Sequence, residues 1–299
     1  SVHDAVAQSV PGAGAASENS AADAATQRPL IIARTLTETG TGNISAFNAL
    51  RDGLLGALVR FRDWSVRELA VDKRFDTPDG WFELRFIGQM DGRTATLTTT
   101  LVLMPESEIL WSEALPHDMQ LEAAKLKGMI RRLANSLNLE ISARRLERAL
   151  ARPVYDRSLY DQLLVAKQHL HTWRANDEAT AENAIRAILA RWPDHSPSLS
   201  SLVEILNTRH HVFPGLLPDR KRSQEALELA QRAGRLSPRD NRVQLTLGWC
   251  HLMVSRPEQA RHYFDMALRL NDNDPLTPIS SATWVFRKSR GRFGRWSEL

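Results

Sequence analysis

Part of the chain repeats itself, and that constrains its fold more than any other feature. Ala226, Ala230, Ala233 and Pro238 stand 34 residues before Ala260, Phe264, Ala267 and Asp272, and a period of that length is one helix–turn–helix unit. A single unit cannot bury its own apolar face, so neighbours must stack and share a core. Small residues on the second helix let it lie close to the first, and a proline just past its last turn stops it. Ala181, Ile185, Ile188 and Pro193 repeat the same internal spacing 45 residues ahead of the Ala226 set. That copy requires about eleven inserted residues, which 210–218 supply as a loop between helices. Downstream, 279–288 reads as the next first helix and 291–296 as the turn into a second helix that the chain does not complete. The expectation is therefore a fragment, or an array completed by a partner.

Leu247-Gly248 precede Ala260 by thirteen and twelve residues, the place where the tetratricopeptide pattern carries its own Leu-Gly, and Gly248 allows the paired helices to cross tightly. This stretch resembles tetratricopeptide (TPR) repeats, with Gln244, His251 and Asp272 standing where tryptophan, tyrosine and proline are common in them. In the resembling repeats, ligand peptides touch the first helix at positions that fall here on Arg242, Leu245 and Trp249. These are one cation and two apolar groups spaced by three and four on one helical face. The same spacing equally suits Leu245 and Trp249 as interhelix core.

The front half has a different pattern. Residues 1–28 are rich in Ala, Ser and Gly and contain no aromatic residue, too little apolar surface to offset their ordering entropy, so they read as a disordered terminus or linker. The apolar run 29–33 suits a strand buried on both faces. After a Gly40-Thr41-Gly42 turn, Asn43 can cap a helix carrying Phe47, Leu50, Leu54, Leu58 and Phe61 at spacings of three and four. Strands are expected at 64–69, 81–87, 94–103 and 108–113, with a loop holding Pro78, Asp79 and Gly80 before the second. Phe82, Leu84 and Phe86 alternate with Glu83 and Arg85, Asp91-Gly92 signals a hairpin turn, and Thr96, Thr98 and Thr100 fit an outward face. Asp118 is then placed to cap a helix striped by Leu126, Ile130, Leu133 and Leu137. Together these make an α+β domain over residues 29–152, its mostly antiparallel sheet covered by helices on one face. From Leu159, Leu163, Ala166, Leu170 and Trp173 onward the pattern is all α, giving a TPR-type helical array over 153–299, with Pro153 marking the boundary.

Composition narrows the function. At 299 residues, 42% hydrophobic and 25% charged, the chain has an ordinary globular make-up and room for two domains. Its net charge of +4 is carried entirely by Arg287, Lys288, Arg290, Arg292 and Arg295 against Glu298, so the body is neutral and direct nucleic-acid binding is not expected. Arg131-Arg132, Arg144-Arg145 and Arg148, broken by Glu140 and Glu147, read as a solvated helix face rather than a DNA reader. The lone Cys250 excludes an internal disulfide and falls inside a repeat helix, where a thiol is buried and inert. His169 and His171 point about 200° apart on a helix and have no carboxylate at matching spacing, so no metal is expected. No P-loop, dinucleotide fingerprint or nucleophile arrangement is present, so no catalytic residue and no cofactor is assigned, and the chain is not expected to be an enzyme. No apolar run approaches the ~20 residues of a membrane span.

A second resemblance concerns the front half. Phe61-Arg62-Asp63-Trp64-Ser65-Val66, the hairpin about Asp91-Gly92, and Ile109-Leu110-Trp111-Ser112-Glu113 resemble the TolB amino-terminal-like module. The helical half, especially Phe213-Pro214-Gly215-Leu216-Leu217-Pro218 and Leu247-Gly248-Trp249, is similar to the repeats that follow that module in bacterial CadC-type winged-helix regulators and class III adenylate cyclase-associated sensors. The resemblance implies a sensory and protein-interaction region of a bacterial signalling or transcription-regulatory protein, its groove binding a protein partner or mediating self-association. The alternative it leaves open is a small-molecule or pH effector region for an output domain absent from this chain. It also leaves the compartment open, periplasmic if a membrane span precedes residue 1 and otherwise cytoplasmic.

Overall fold

The computed structural model describes residues 28–39, 44–75, 80–91, 94–118, 123–170, 172, 174–212 and 219–277. Six strands form one sheet, namely β1 (Leu30–Arg34), β2 (Thr37–Thr39), β3 (Ser65–Leu69), β4 (Trp81–Asp91), β5 (Thr94–Met104) and β6 (Glu108–Asp118). Their order is β3-β1-β4-β5-β6, with β2 beside β4. The sheet is mixed rather than mostly antiparallel. β1 runs parallel to β3 and to β4, and β2 runs parallel to β4, while β4, β5 and β6 form an antiparallel meander. The cause is helix α1 (Ile44–Val59), a crossover that carries the chain back to start β3 alongside β1 in the same direction. Ile31, Ile32 and Ala33 are fully buried, as the apolar run of β1 requires.

Two local expectations shift. Asp91 pairs with Thr94, so Asp91 belongs to the ladder and not to the turn, and Gly92 and Arg93 lie outside the described residues. That register sets Phe82 and Leu84 opposite Leu103 and Leu101 in the core. Asp118 ends β6 opposite Thr94 instead of capping a helix, because sheet pairing claims the backbone up to that point. Helix α2 (Ala123–Leu150) starts later.

α1 and α2 cover one face. Phe47, Leu50, Leu54 and Leu58 meet Leu133, Leu137 and Ile141 over Leu84, Phe86, Leu97 and Leu101. Phe61 and Trp64 lie past the end of α1 and close this core, with Trp64 Nε1 donating to the Leu58 carbonyl at 3.2 Å. On the opposite face Thr98 and Thr100 are half-buried. Glu83 there sits between Arg34 at 2.6 Å and Arg85 at 2.7 Å. Burial works to raise the Glu83 pKa, but the two guanidiniums outweigh it and hold the carboxyl below its ordinary range.

After a 3-10 turn at Val154–Asp156 come α3 (Leu159–Leu170), α4 (Ala175–Arg191), α5 (Ser196–Val212), α6 (Arg220–Leu236), α7 (Asn241–Met253) and α8 (Pro257–Leu270). They stack as pairs α3–α4, α5–α6 and α7–α8. The helical repeat positions lie in the seams, with Ala181, Ile185, Ile188, Ala226, Ala230, Ala233, Ala260, Phe264 and Ala267 all buried, while Pro193 and Pro238 stay exposed past the helix ends. A Cβ on Gly248 would stand 2.4 Å from Phe264 Cε1, so only glycine permits the observed approach of α7 and α8. Asp240 caps α7 by accepting from the Arg242 amide, and Asp274, one period later, accepts from the Leu276 amide at 3.0 Å.

The insertion differs from expectation. α5 runs through Val212, so His210 and His211 are helical, because nothing between Asn207 and Val212 breaks a helix. Residues 213–218 lie outside the described residues, as do 1–27, the Gly40-Thr41-Gly42 turn, Asn43, Pro78, Asp79, His171, Trp173, the expected elements at 279–288 and 291–296, and the basic cluster. No helix among the described residues is long and apolar enough to cross a membrane.

Candidate protein-interaction site

α3, α5 and α7 touch one another in series, whereas α4, α6 and α8 have no comparable contact among themselves. A stack whose members crowd on one side curves toward that side, so α3, α5 and α7 line the inner face of the array. Arg242, Leu245 and Trp249 all lie on α7, and the structure separates their roles. Leu245 is only 6% exposed and packs with Leu252, Ala260, Phe264 and Ala267. It belongs to the interhelix core because its face of α7 is turned onto α8, and it offers no groove contact. Trp249 is half-buried, with its ring edge-on to Phe264 at 5.5 Å.

Arg242 reaches into the other half of the molecule. Its Nη1 pairs with Asp63, in the segment between α1 and β3, at 2.7 Å, and its Nε stands 3.6 Å from Asp274. Asp274 also accepts from Asn241 Nδ2 at 3.0 Å. The cation expected to meet a partner thus meets the chain's own α+β domain. Beside it, Asp272 pairs with Arg60 at 3.1 Å and with Lys127. The hydrogen-bonded Lys127 ammonium, with Arg60 adding to it, holds the Asp272 carboxyl below its usual range despite partial burial. Asn271 Nδ2 donates to the Arg60 carbonyl at 3.3 Å and Asn135 Nδ2 to the Asn273 carbonyl at 3.2 Å. At the opposite end of the array Arg145 pairs with Asp161 at 2.8 Å, and Arg28 Nε donates to the Tyr160 hydroxyl at 3.3 Å.

Sequence reasoning missed Asp63, Arg60, Lys127 and Asn135, because the contacts they make span 138 to 212 residues and no periodicity reports such pairings. Asp272 gave the one available hint, a carboxylate where the resembling repeats favour proline.

The other chemistry-bearing groups are held within the packing of the array. His195 lies edge-on to Tyr160 at 5.2 Å, with its Nδ1 2.7 Å from Ser198 Oγ. Burial, with Arg28 nearby, pushes its pKa down to about 4, so the ring is neutral. Cys250 is 1% exposed and accepts from Asn207 Nδ2 at 3.2 Å. Burial pushes its thiol up to about 12, the setting of an unreactive cysteine. On the outer side an open groove of about 260 Å³ runs along Leu189, Pro193, Leu199, Leu202 and Leu229. Its rim arginines are already paired, Arg186 with Glu182 and Glu225, and Arg232 with Asp194.

Stacked hairpins of this length with small residues in their seams decide the class. The helical half is TPR-like. No protein-family model matches the chain. Over 78 residues it is 33% identical to the type IV pilus assembly protein PilF of Pseudomonas aeruginosa, a match covering 25% of this chain and 31% of that protein. The chain thus spans about a third of the length of the curated relative it matches. Among solved structures it is similar to a thermophilic TPR protein of Thermus thermophilus, with 20% identity, a TM-score of 0.41, and coverage of 56% of this chain and 79% of that one. It is also similar to the structure of P. aeruginosa PilF, with 22% identity, a TM-score of 0.25, and coverage of 43% and 68%.

Proposed function

We propose that this chain is a non-catalytic protein-interaction region of a bacterial signalling or transcription-regulatory protein, whose TPR-like array receives a protein segment on its inner face. The observation that supports this is the division of labour on α7. The seam with α8 is filled by Leu245 and Phe264 with Trp249 packed half-buried against it, which leaves Arg242 outside the core of the array and Trp249 at its margin. The test uses the purified chain as bait, identifies the recovered protein, and measures its affinity for the parent, Arg242→Glu and Trp249→Ala. Each substitution is expected to weaken binding by about tenfold, roughly 1.4 kcal/mol and above the ~1 kcal/mol that most interface residues stay under. Parent-like affinity in both variants refutes the inner-face site.

The PilF match supports a second reading, a scaffold in the assembly of a surface appendage. The identity of the recovered protein separates the two readings. A small molecule that raises the melting temperature with no partner present would instead favour an effector-sensing role.

A further inference from the structure

The α+β domain touches the array at both ends, and the two contacts differ in kind. At the first helix pair α2 runs on into α3 through a short turn, so Arg145–Asp161 joins neighbours on the chain, and one exposed hydrogen bond, Arg28–Tyr160, adds to it across 132 residues. At the last pair the contacts close a ring, from Asp63, Arg60, Lys127 and Asn135 to Arg242, Asn271, Asp272 and Asn273. Every one of these closing contacts is an ion pair or an amide–carbonyl hydrogen bond. Among the described residues the three apolar clusters stop short of it. One holds only residues of the α+β domain, and the other two hold only residues from Leu159 onward. The ion pairs are also wet, since the side chains of Arg242 and Asp63 are each about a third exposed and Arg60 is half exposed. Domains joined without an apolar interface move relative to one another, and exposed ion pairs weaken with salt. The turn at Val154–Asp156 offers a pivot, with Val154 and Tyr155 largely exposed and unpacked.

We infer that the α+β domain is an intramolecular occupant of the array's recognition face. A polar clasp centred on Asp63–Arg242 and on Asp272 with Arg60 and Lys127 holds it there, and a protein segment that takes Arg242 must displace Asp63. This rests on the proposed inner-face function only for the identity of the competitor. Binding of the segment and closure of the clasp then exclude each other, and the free protein's affinity is reduced by the fraction of time the clasp is shut.

The test uses the full chain with spin labels at Gly56→Cys in α1 and Glu258→Cys in α8, both exposed positions, while buried Cys250 stays unlabelled. The parent is expected to give a single short interlabel distance at low salt that broadens toward longer distances at high salt. Asp63→Arg and Arg242→Asp are each expected to give the long, broad distribution even at low salt, and the double swap Asp63→Arg/Arg242→Asp is expected to restore the short one. A distribution unmoved by salt and by both single substitutions overturns the clasp. So does a double swap that stays open while its circular dichroism matches the parent. Asp63→Arg should also bind the recovered partner up to about fivefold more tightly, the worth of about one exposed ion pair no longer competing. Opening without any such gain keeps the clasp and refutes the inner-face function. A partner bound equally by parent and Asp63→Arg, with unchanged distances, does the reverse.

Discussion

Replacing Gly248 by alanine tests the repeat packing with a sign that opposes intrinsic propensity. In a helix interior this change ordinarily gains about 1 kcal/mol. Here the new Cβ would lie 2.4 Å from Phe264 Cε1, 2.5 Å from Cδ1 and 3.0 Å from Cζ, well inside ordinary carbon–carbon contact. The ring has nowhere to go, because Phe264 is 1% exposed and its other neighbours include the edge of Trp249. α7 and α8 must therefore separate, and overpacking of this kind costs about 1–3 kcal/mol. Contact at several ring atoms puts the cost near the upper end, so after the propensity gain the net loss is about 2 kcal/mol. For an array of roughly 150 residues that lowers Tm by about 4–8 °C. Urea and thermal unfolding followed by far-ultraviolet circular dichroism measure it. Gly128→Ala in α2 and Gly56→Ala in α1 serve as controls, since nothing stands within 4 Å of either new Cβ and each should gain up to about 1 kcal/mol. Gly248→Ala/Phe264→Leu should recover part of the loss. A Gly248→Ala protein as stable as the parent, or more so, refutes the tight crossing.

Ile185→Ala, at a fully buried seam position, should cost about 2–5 kcal/mol, and a change under about 1 kcal/mol in urea unfolding would contradict its place in the core. His195 has a folded pKa of about 4 against an ordinary 6.5, so between those values the unfolded state binds more protons. Its contribution is complete above pH ~6.5 and is lost as the pH falls toward about 4, by about 1–3 kcal/mol after allowing for partial exposure. His195→Gln should flatten that part of the stability profile, and superimposable profiles would rule the assignment out. Native Cys250, buried and with its pKa near 12, should react with a disulfide reagent about a thousandfold more slowly than a free thiol. Labelling at the free-thiol rate would show that α7 opens.

Residues that act through local spacing were legible in the sequence. Ala226, Ala230, Ala233, Ala260, Phe264 and Ala267 define the seams because helical geometry fixes which positions face a neighbour three or four residues away. Phe82, Leu84 and Phe86 define the inner sheet face for the same reason with a period of two. Pairing direction was not legible, since alternation along β1 and β3 is identical whether they run parallel or antiparallel, and the crossover by α1 decided it. Leu245 illustrates a different limit. One helical face can serve a groove or a seam, and only the position of α8 showed that this residue is in the seam. Arg242 was expected to meet a partner, but the residue it meets in the structure, Asp63, 179 residues away, depends on how two separately folded halves meet.

Hydrogen–deuterium exchange of the full chain with and without its recovered protein partner tests the central claim most directly. An inner-face site predicts slowed exchange concentrated in α3, α5 and α7, together with faster exchange in the segment about Asp63 as the clasp opens. Protection confined to α4, α6 and α8, or to the open face of the sheet, would contradict it.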